Sequence, residues 1–531
     1  MRSLVPALLL AALLAPFAAI ADDDPVKNCK NHYILRPLGC VDDSPTFARA
    51  SYWEDQFAGL WWNPRESGWG VSIQQQGQSM SATLLVYGKD GRPKAFHAPA
   101  VVLPDYDERD PYLLWNPITF TGALYDGIAG NARKVGSITF DMEEDLDGRG
   151  VVSYVIDGLW FYGSIERSFL AARPFAGTFD GSRKFAGKCD TQPQSTSTKV
   201  DLARTGSDAT VRIDDETLLC EASGSYVETG WRDYVTGSAI CTDKRTSVTR
   251  DYRFTAYDIH VTRESVAFNF GTWDADCSFG GPVMAARRGA LDPSSPPHDD
   301  ASGLWASNAG WDVIAHHQGN TIFAILLAPD AAGGTTWYAA SNASYASGDD
   351  EDLVQYRGDL WSTSGPSYDS PYDPSRFQMK RVGTVELAPD AGGYNGASFE
   401  IDGVKTTARV DRVTVPRDTS LAGAYVGERT TTSPTLAASY AGTWTVQQQS
   451  IEVRIAYTDP ENSCDIAGAF HWRGATGEID GTATCRGLYG PASSGAFTAR
   501  HVQLSAQGLS MRYCMPIDGQ PMCGVLAGLR Q

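Results

Sequence analysis

Short apolar and aromatic runs recur along the chain, separated by turn residues. The runs SATLLVYG, VVSYVID and IEVRIAY are rich in β-branched or aromatic residues, and Gly, Asp and Asn lie between such runs. This pattern is typical of strands and turns, and no segment shows the sustained periodicity of a long amphipathic helix. The pattern therefore predicts an all-β protein made of short antiparallel strands.

The chain is also a tandem duplication. The segment that begins at Gly59 returns at Gly303, and the segment that begins at Cys220 returns at Cys464, both with an offset of 244 residues. Each copy divides again into parts of about 115 residues, a size that suits a β-sandwich or an up-and-down barrel. We therefore predict four modules and expect the two copies to fold separately. In chain order they are A1 (56–174), B1 (175–288), a Pro-rich linker (289–302), A2 (303–418) and B2 (419–531).

Barrels are favoured by a feature at the module ends. A1 and A2 open with Gly-Leu-Trp, which contains Trp61 and Trp305, and each has arginines in its last apolar strand. This arrangement resembles the calycin, or lipocalin-like, barrels, and the resemblance implies that the tryptophan plugs one end while an arginine packs across its ring. The arginine is Arg167 in A1 and Arg409 or Arg412 in A2, with Arg409 taken first. B1 and B2 have weaker versions, with Phe179 and Arg287 and with Tyr425 and Arg530.

Composition and the first residues indicate the compartment. The net charge of −19 argues against a surface that binds nucleic acid or an anionic membrane. Residues 1–21 combine one Arg, a short apolar stretch and small residues before three aspartates, which predicts a signal peptide and an exported protein, periplasmic or extracellular. A segment at 22–55 follows, and its first cysteine, Cys29, is too late for lipid anchoring. No later run reaches the ~20 apolar residues of a membrane-spanning helix.

Ten cysteines without a CxxC motif predict a disulfide framework rather than a zinc or thioredoxin-type site. The repeat pairs the cysteines that recur at the common offset, nearby cysteines pair locally, and one pair remains by elimination. The predicted bridges are Cys220–Cys241, Cys464–Cys485, Cys29–Cys40, Cys514–Cys523 and Cys189–Cys277.

A1 also contains GLWWNPRESGWG, followed by QQG, an apolar strand and a DG turn. This sequence resembles the Trp-rich WWNPxESGWG repeat of exported proteobacterial proteins. The resemblance implies export but no particular chemistry.

The candidate site lies in this motif, because copy two has a shorter segment there. Trp62 is predicted to be a stacking platform, with Asn63 and Glu66 as polar contacts at a barrel mouth, where small ligands usually bind. The alternative is an ordinary turn beside the core residues Trp61 and Trp69. Both interpretations stay open at this point.

Other candidate chemistry is weak. His316 and His317 are adjacent on a predicted strand, so they point to opposite faces and do not bind one metal from the same side. The acidic stretch at 141–148 lacks the spacing of an EF-hand and is better explained as a hairpin turn. GxSxG and HExxH motifs are absent, which lowers the enzyme hypothesis without removing it. No metal or cofactor is expected.

The sequence thus predicts an exported β-barrel protein that binds an apolar or carbohydrate ligand without catalysis. One alternative is a secreted hydrolase of a polymer such as a polysaccharide, with Glu66 as the acid or base. Another is a structural or adhesive envelope protein. The sequence leaves the oligomeric state open.

Overall fold

The structure is a computed structural model of the chain. The residues that it describes are 33–36, 39–42, 57–76, 79–102, 118–127, 132–142, 149–168, 175–187, 195–227, 233–262, 265–274, 276–288, 301–318, 320–330, 334–347, 354–391, 394–413, 420–431, 438–473, 476–487, 491–504, 508–517 and 520–531. The predicted signal peptide (1–21) and most of the linker lie outside these ranges.

The chain divides into two units, residues 1–47 and residues 48–531. The described part of the first unit is a short antiparallel hairpin of β1 (Tyr33–Arg36) and β2 (Gly39–Asp42). The second unit contains all the remaining strands.

Modules A1 and A2 are closed barrels of eight antiparallel strands, in which the last strand pairs with the first. The strands of A1 are β3 (Gly59–Trp62), β4 (Gly70–Gln76), β5 (Ser79–Tyr87), β6 (Pro93–Val102), β7 (Ile118–Asp126), β8 (Arg133–Met142), β9 (Arg149–Ile156) and β10 (Leu159–Arg167). The strands of A2 are β20 (Gly303–Ser307), β21 (Asp312–Gln318), β22 (Thr321–Pro329), β23 (Thr335–Ser347), β24 (Val354–Ser364), β25 (Gln378–Ala391), β26 (Tyr394–Ile401) and β27 (Val404–Arg412), with a 3-10 turn at Pro374–Arg376.

Modules B1 and B2 are closed in the same way. In B1 the first strand is interrupted at Phe185, and both of its parts pair with the last strand. The strands of B1 are β11 (Gly177–Lys184), β12 (Ala186–Gly187), β13 (Ser195–Thr205), β14 (Asp208–Asp215), β15 (Leu218–Val227), β16 (Tyr234–Asp243), β17 (Val248–Val261), β18 (Ser265–Trp273) and β19 (Ser278–Arg287). The strands of B2 are β28 (Gly423–Thr431), β29 (Ser439–Gln449), β30 (Glu452–Thr458), β31 (Asn462–Arg473), β32 (Thr476–Gly487), β33 (Ser493–Leu504), β34 (Gly508–Ile517) and β35 (Gln520–Arg530). The all-β prediction and the preference for barrels are confirmed.

Alternation along each strand explains the barrels. In β30 the side chains of Val453, Ile455 and Tyr457 are buried, and those between them are exposed. Successive side chains of a strand point to opposite faces, so a closed barrel buries the apolar set inside and leaves the polar set in water.

An aromatic ring and an arginine close one end of each barrel. The Arg412 guanidinium lies 5.0 Å from the Trp305 ring centre, Arg287 lies 4.6 Å from that of Phe179, and Arg530 lies 5.7 Å from that of Tyr425. In A1, Arg167 pairs with Trp61 across the strands and lies over Gly59, where an added Cβ would be 2.6 Å from its Nε.

The expectation that Arg409 covers Trp305 is wrong. The side chain of Arg409 is 55% exposed and pairs with Asp411 at 3.5 Å. Strand pairing places Arg412 opposite Trp305, so Arg412 is the counterpart of Arg167. Arg409 and Arg412 are three residues apart and therefore face opposite sides of β27.

The modules pair across the two copies, A1 with A2 and B1 with B2. The contact is reciprocal: Gln76 donates to the carbonyl of Val413 at 2.8 Å, and Gln318, which ends the matching strand of A2, donates to the carbonyl of Ser168 at 3.4 Å. Such reciprocity is the mark of a two-fold interface. The A1–A2 contact buries Leu85, Tyr87, Ala95, Ile314, Ile325, Leu327 and Trp337, and the B1–B2 contact buries Ala267, Met284, Ala286, Val525, Ala527 and Leu529. These buried faces oppose the expectation that each copy folds separately.

Three predicted disulfides are confirmed: Cys220–Cys241, Cys464–Cys485 and Cys514–Cys523. Cys277 is also disulfide-bonded. Its predicted partner, Cys189, lies outside the described residues, as does Cys29 of the predicted Cys29–Cys40 bridge, so these two pairings stay predictions. Among the described residues, no helix is long and apolar enough to cross a membrane.

Candidate functional site

The Trp-rich segment of A1 forms a turn between β3 and β4. The amide of Glu66 donates to the Asn63 carbonyl at 3.0 Å, and the Asn63 side-chain oxygen accepts from the amide of Arg65 at 3.0 Å. Asn63 is only 8% exposed. Its side chain therefore holds the turn and does not face a ligand, which supports the ordinary-turn interpretation at this residue.

Glu66 is directed to a neighbouring indole. Its carboxylate accepts from Trp69 Nε1 at 3.1 Å, and the Trp69 ring packs edge-on against Tyr154 with the ring centres 6.4 Å apart. Burial raises the pKa of the Tyr154 hydroxyl well above its usual value, and the charge of Glu66 raises it further. Glu66 thus positions Trp69 over the end of the barrel.

A segment of A2 covers the same end of A1. The Tyr368 ring lies 6.0 Å from both Phe96 and Phe161 and packs against the A1 core. The segment is tied down by hydrogen bonds from the Tyr368 amide to the Tyr87 carbonyl at 2.9 Å and from the Tyr372 hydroxyl to the Ser67 carbonyl at 3.1 Å. The mouth of A1 is therefore occupied by protein side chains.

Trp62 lies on the outside of the barrel. Its neighbour Trp61 is 1% exposed and belongs to the core, so the alternation of β3 turns Trp62 outward, where it is half-buried. The three predicted site residues therefore do not form one site. Trp62 lies on the outer face, Asn63 holds the turn, and Glu66 supports Trp69.

Among the described residues of A1, the most exposed aromatic side chains lie on β10. Trp160 is 65% exposed and Tyr162 is 63% exposed. Their ring centres are 5.8 Å apart and their planes differ by 24°, so they are stacked. Phe161 between them packs against the core, which fixes the strand's orientation. The two rings together form an exposed apolar patch.

Trp62 lies on the same outer face of the barrel, farther along β10. Glu166 lies four residues beyond Tyr162, on the same face of β10. It pairs across the strands with Trp62, and its carboxylate lies 3.8 Å from the Arg149 guanidinium. We call Trp160, Tyr162 and Trp62 the aromatic strip. It combines ring faces with a carboxylate and a guanidinium at one end.

Copy two lacks the strip. Both copies have an Asp-Gly turn before the last barrel strand, at Asp157 and at Asp402. Counting from these turns, Lys405 and Thr407 occupy the positions of Trp160 and Tyr162. Trp160 and Tyr162 were not among the predicted site residues, although the two copies differ at these positions when they are aligned.

The paired histidines point to opposite faces, as predicted. His316 faces A1, with its Nε2 3.0 Å from the Ser72 hydroxyl. His317 faces the interior, where its Nδ1 accepts from the Ala301 amide at 3.2 Å and its Nε2 lies 2.9 Å from the Tyr356 hydroxyl. In A1, Gln75 accepts from the matching Phe57 amide at 2.9 Å, so the interior histidine replaces a structural glutamine.

B2 contains a buried ion pair. Arg429 donates to Asp459 at 2.8 Å, and the Tyr457 hydroxyl donates to the same carboxylate at 2.7 Å. Burial alone raises the pKa of Asp459, but the hydrogen bond from Tyr457 and the charge of Arg429 hold it below its usual range. Asp459 also accepts backbone amides of its hairpin turn, and Arg183 and Asp215 repeat the arrangement in B1. The pair therefore braces a hairpin in both copies.

Within the described ranges, no group of three or more His, Cys, Asp or Glu side chains could hold a metal ion. No protein-family profile matches the chain, and no curated protein gives a significant match. The class of protein is therefore defined here by the fold: a tandem β-barrel protein with disulfide bonds. The resemblances to calycins and to the Trp-rich repeat stay predictions.

Proposed function

We propose that this chain is an exported carbohydrate-binding protein without catalysis, and that the aromatic strip of A1 is its binding surface. The observation that carries the proposal is the stacked, exposed pair Trp160 and Tyr162. Exposed large apolar surfaces usually mark an interaction site. The sequence supports export through its predicted signal peptide, and the disulfides fit an oxidising compartment.

Carbohydrate fits this surface because a sugar ring has one face of C–H bonds and a rim of hydroxyls. The C–H face packs on an aromatic ring, and the hydroxyls remain in water or bond to polar groups at the edge. Glu166 and Arg149 supply such polar groups beside Trp62, at one end of the strip. An exposed surface on the outside of a barrel suits a chain of sugars better than a single compact molecule, which prefers a concave pocket.

The test is a glycan array probed with the full-length protein and with Trp160→Ala. Loss of a stacking ring costs about 1–3 kcal/mol, the range for bases stacked on aromatic side chains, so affinity should fall roughly 5-fold to 150-fold. Val404→Ala is the matched control, because Val404 is an exposed apolar residue beside the equivalent turn of A2. Its glycan binding should equal that of the wild type.

Two results would contradict the proposal. One is that the wild-type protein binds no glycan, or that it binds a glycan equally well after Trp160→Ala. The other is cleavage of a bound polysaccharide that depends on Glu66, because this would support the hydrolase alternative. In our proposal Glu66 only positions Trp69, so Glu66→Gln should leave glycan binding intact.

A further inference from the structure

The outer surface of A1 next to the stacked aromatic pair carries no charge. Strand pairing sets the side chains of β10, β9 and β8 beside one another in rows that cross the sheet. Two such rows begin at the stacked pair. Their outward residues are Trp160, Val155 and Ser137 in one row and Tyr162, Ser153 and Thr139 in the other. We call these six residues the neutral face. It belongs to a protein with a net charge of −19.

The alternation along each strand turns the neutral face away from the barrel interior. The residues between its members, such as Ile138, Val152 and Tyr154, belong to the A1 core. Successive side chains of a strand point to opposite faces, so the members themselves lie outside. Residues paired across two strands have Cβ atoms about 5 Å apart. A ligand stacked on Tyr162 is therefore within reach of Ser153 on the next strand.

The equivalent face of A2 is charged. The shared Asp-Gly turns and the strand pairing align the two barrels residue by residue. Three of the six positions then hold a charged residue in A2, namely Lys405, Glu400 and Glu386 in place of Trp160, Val155 and Thr139. The barrel frame accepts charge at these positions, so the fold does not require the neutral face of A1.

The charged side chains of A2 pair with one another. Glu386 Oε1 lies 3.2 Å from Arg357 Nε, and Glu386 Oε2 lies 3.6 Å from Lys405 Nζ. In A1 the positions of Glu386 and Arg357 hold Thr139 and Thr121, whose hydroxyl oxygens are 3.2 Å apart. A hydroxyl donates one hydrogen bond and accepts two, so the threonine pair keeps capacity for a further partner.

The neutral face suits an uncharged sugar better than an anionic one. Its hydroxyls complement those of a sugar, and Ser and Thr have less rotamer freedom to lose on binding than Lys, Arg or Glu. A sugar carboxylate would meet no cation among the six residues, although cations are what bind carboxylates strongly. At the edges, Asp141 adds a negative charge beyond Thr139, and Arg149 is paired with Glu166 at 3.8 Å.

We propose that the aromatic strip selects an uncharged glycan, and that Ser153 and Thr139 bond to hydroxyls of the sugars beside Tyr162. The inference rests on the proposed carbohydrate-binding function. It adds the substrate class, a neutral oligosaccharide, and two residues that determine specificity.

The first test compares sugars that differ in charge alone. Hexamers of glucose, mannose and galactose are titrated into the full-length protein by calorimetry, beside hexamers of the corresponding uronic acids. The wild type should bind a neutral hexamer about tenfold or more tightly than its acidic counterpart. Equal or tighter binding of the acidic hexamer would overturn the inference and leave carbohydrate binding intact. Binding of neither set would contradict the carbohydrate function itself.

The second test alters the neutral face. Thr139→Val keeps the shape of the side chain and removes its hydroxyl, so affinity for the neutral hexamer should fall roughly 2-fold to 12-fold. Thr121→Arg combined with Thr139→Glu builds the ion pair that A2 already accommodates, and binding should fall by about tenfold or more. Thr384→Val is the matched control, because Thr384 is exposed on the equivalent strand of A2. Its affinity should equal that of the wild type.

Trp160→Ala separates this inference from the proposed function. If Trp160→Ala abolishes glycan binding while both Thr139 variants bind like the wild type, the strip binds glycan without the neutral face and this inference alone fails. The competing occupant of the face is a second copy of the chain. A wild type that dimerises in analytical ultracentrifugation, with a dimer that the double variant dissociates, would overturn the proposal.

Discussion

In A1 the space beneath the tryptophan plug is filled by Phe57 and Ile73. In A2 the residues at these positions are Ala301 and Ala315, and a small cavity remains. On the outside the difference is reversed, because A1 presents Trp160 and Tyr162 where A2 has Lys405 and Thr407. The frame of plug, arginine and eight strands is the same in both. The two copies therefore share the same barrel frame. They differ independently in the side chains of the interior and in the side chains of the outer surface.

The largest expected effect concerns the shared face. Residues 303–531 expressed alone would expose Ile325, Leu327 and Trp337, which the intact chain buries. Burial of each such side chain is worth about 1.5–3 kcal/mol, against a total stability of about 5–15 kcal/mol for a domain. We expect this fragment to aggregate or to associate with itself, as measured by light scattering. A soluble monomer with a cooperative thermal transition would instead support independent copies.

The next effect compares the two plugs. Trp61→Ala should lower the free energy of unfolding by about 3–5 kcal/mol, because it removes a large ring from a filled core. Trp305→Ala should cost about 1 kcal/mol less, since the Trp305 ring already borders empty space. Denaturant unfolding of the two variants measures the difference. Equal losses would show that the plugs are equally packed.

The smallest effect is a pH dependence of stability that comes from His97 in copy one. Burial lowers the pKa of His97 to about 4, although nearby Asp126 works in the other direction. The folded state then binds fewer protons than the unfolded state between pH 6.5 and 4, so stability falls as the pH falls through this window. At pH 5 the loss is about 2 kcal/mol relative to pH 7.

His97→Gln should remove this loss, because glutamine stays neutral throughout the window. Thermal unfolding of the wild type and the variant at pH 7 and pH 5 measures it. An unchanged pH dependence in the variant would assign the effect to other groups. His97 pairs with Thr83 in A1, and Ala339 pairs with Ile325, the residue equivalent to Thr83, in A2. Copy two therefore has an alanine at the position of His97.

Much of the fold could be predicted because the sequence shows both the alternation of apolar and polar residues along strands and the repeat of 244 residues. The IEVRIAY run became β30 with its apolar residues inside, and the repeated cysteines formed matching bridges in B1 and B2. The pairing of A1 with A2 was missed. Its signal is the continuous apolar character of β5 and β22, which is typical of strands buried on both faces.

The site was harder to predict because it depends on which face of a strand each residue occupies. Trp62 was singled out by its motif, whereas the more exposed Trp160 and Tyr162 lie in a run that reads as an ordinary hairpin strand. Arg409 was preferred to Arg412 for the same reason, since only the register against Trp305 distinguishes them. Copy-to-copy exchanges identify both the strip and the cavity once strand pairing has aligned the residues.

The most direct test of the difference between A1 and A2 is a high-resolution crystal structure of the full-length protein. Our account predicts a small unfilled space in A2, between Trp305, Ala315 and Leu387. It predicts none at the equivalent place in A1, beside Trp61. An A2 interior packed as closely as that of A1, or an equal space in both barrels, would contradict it.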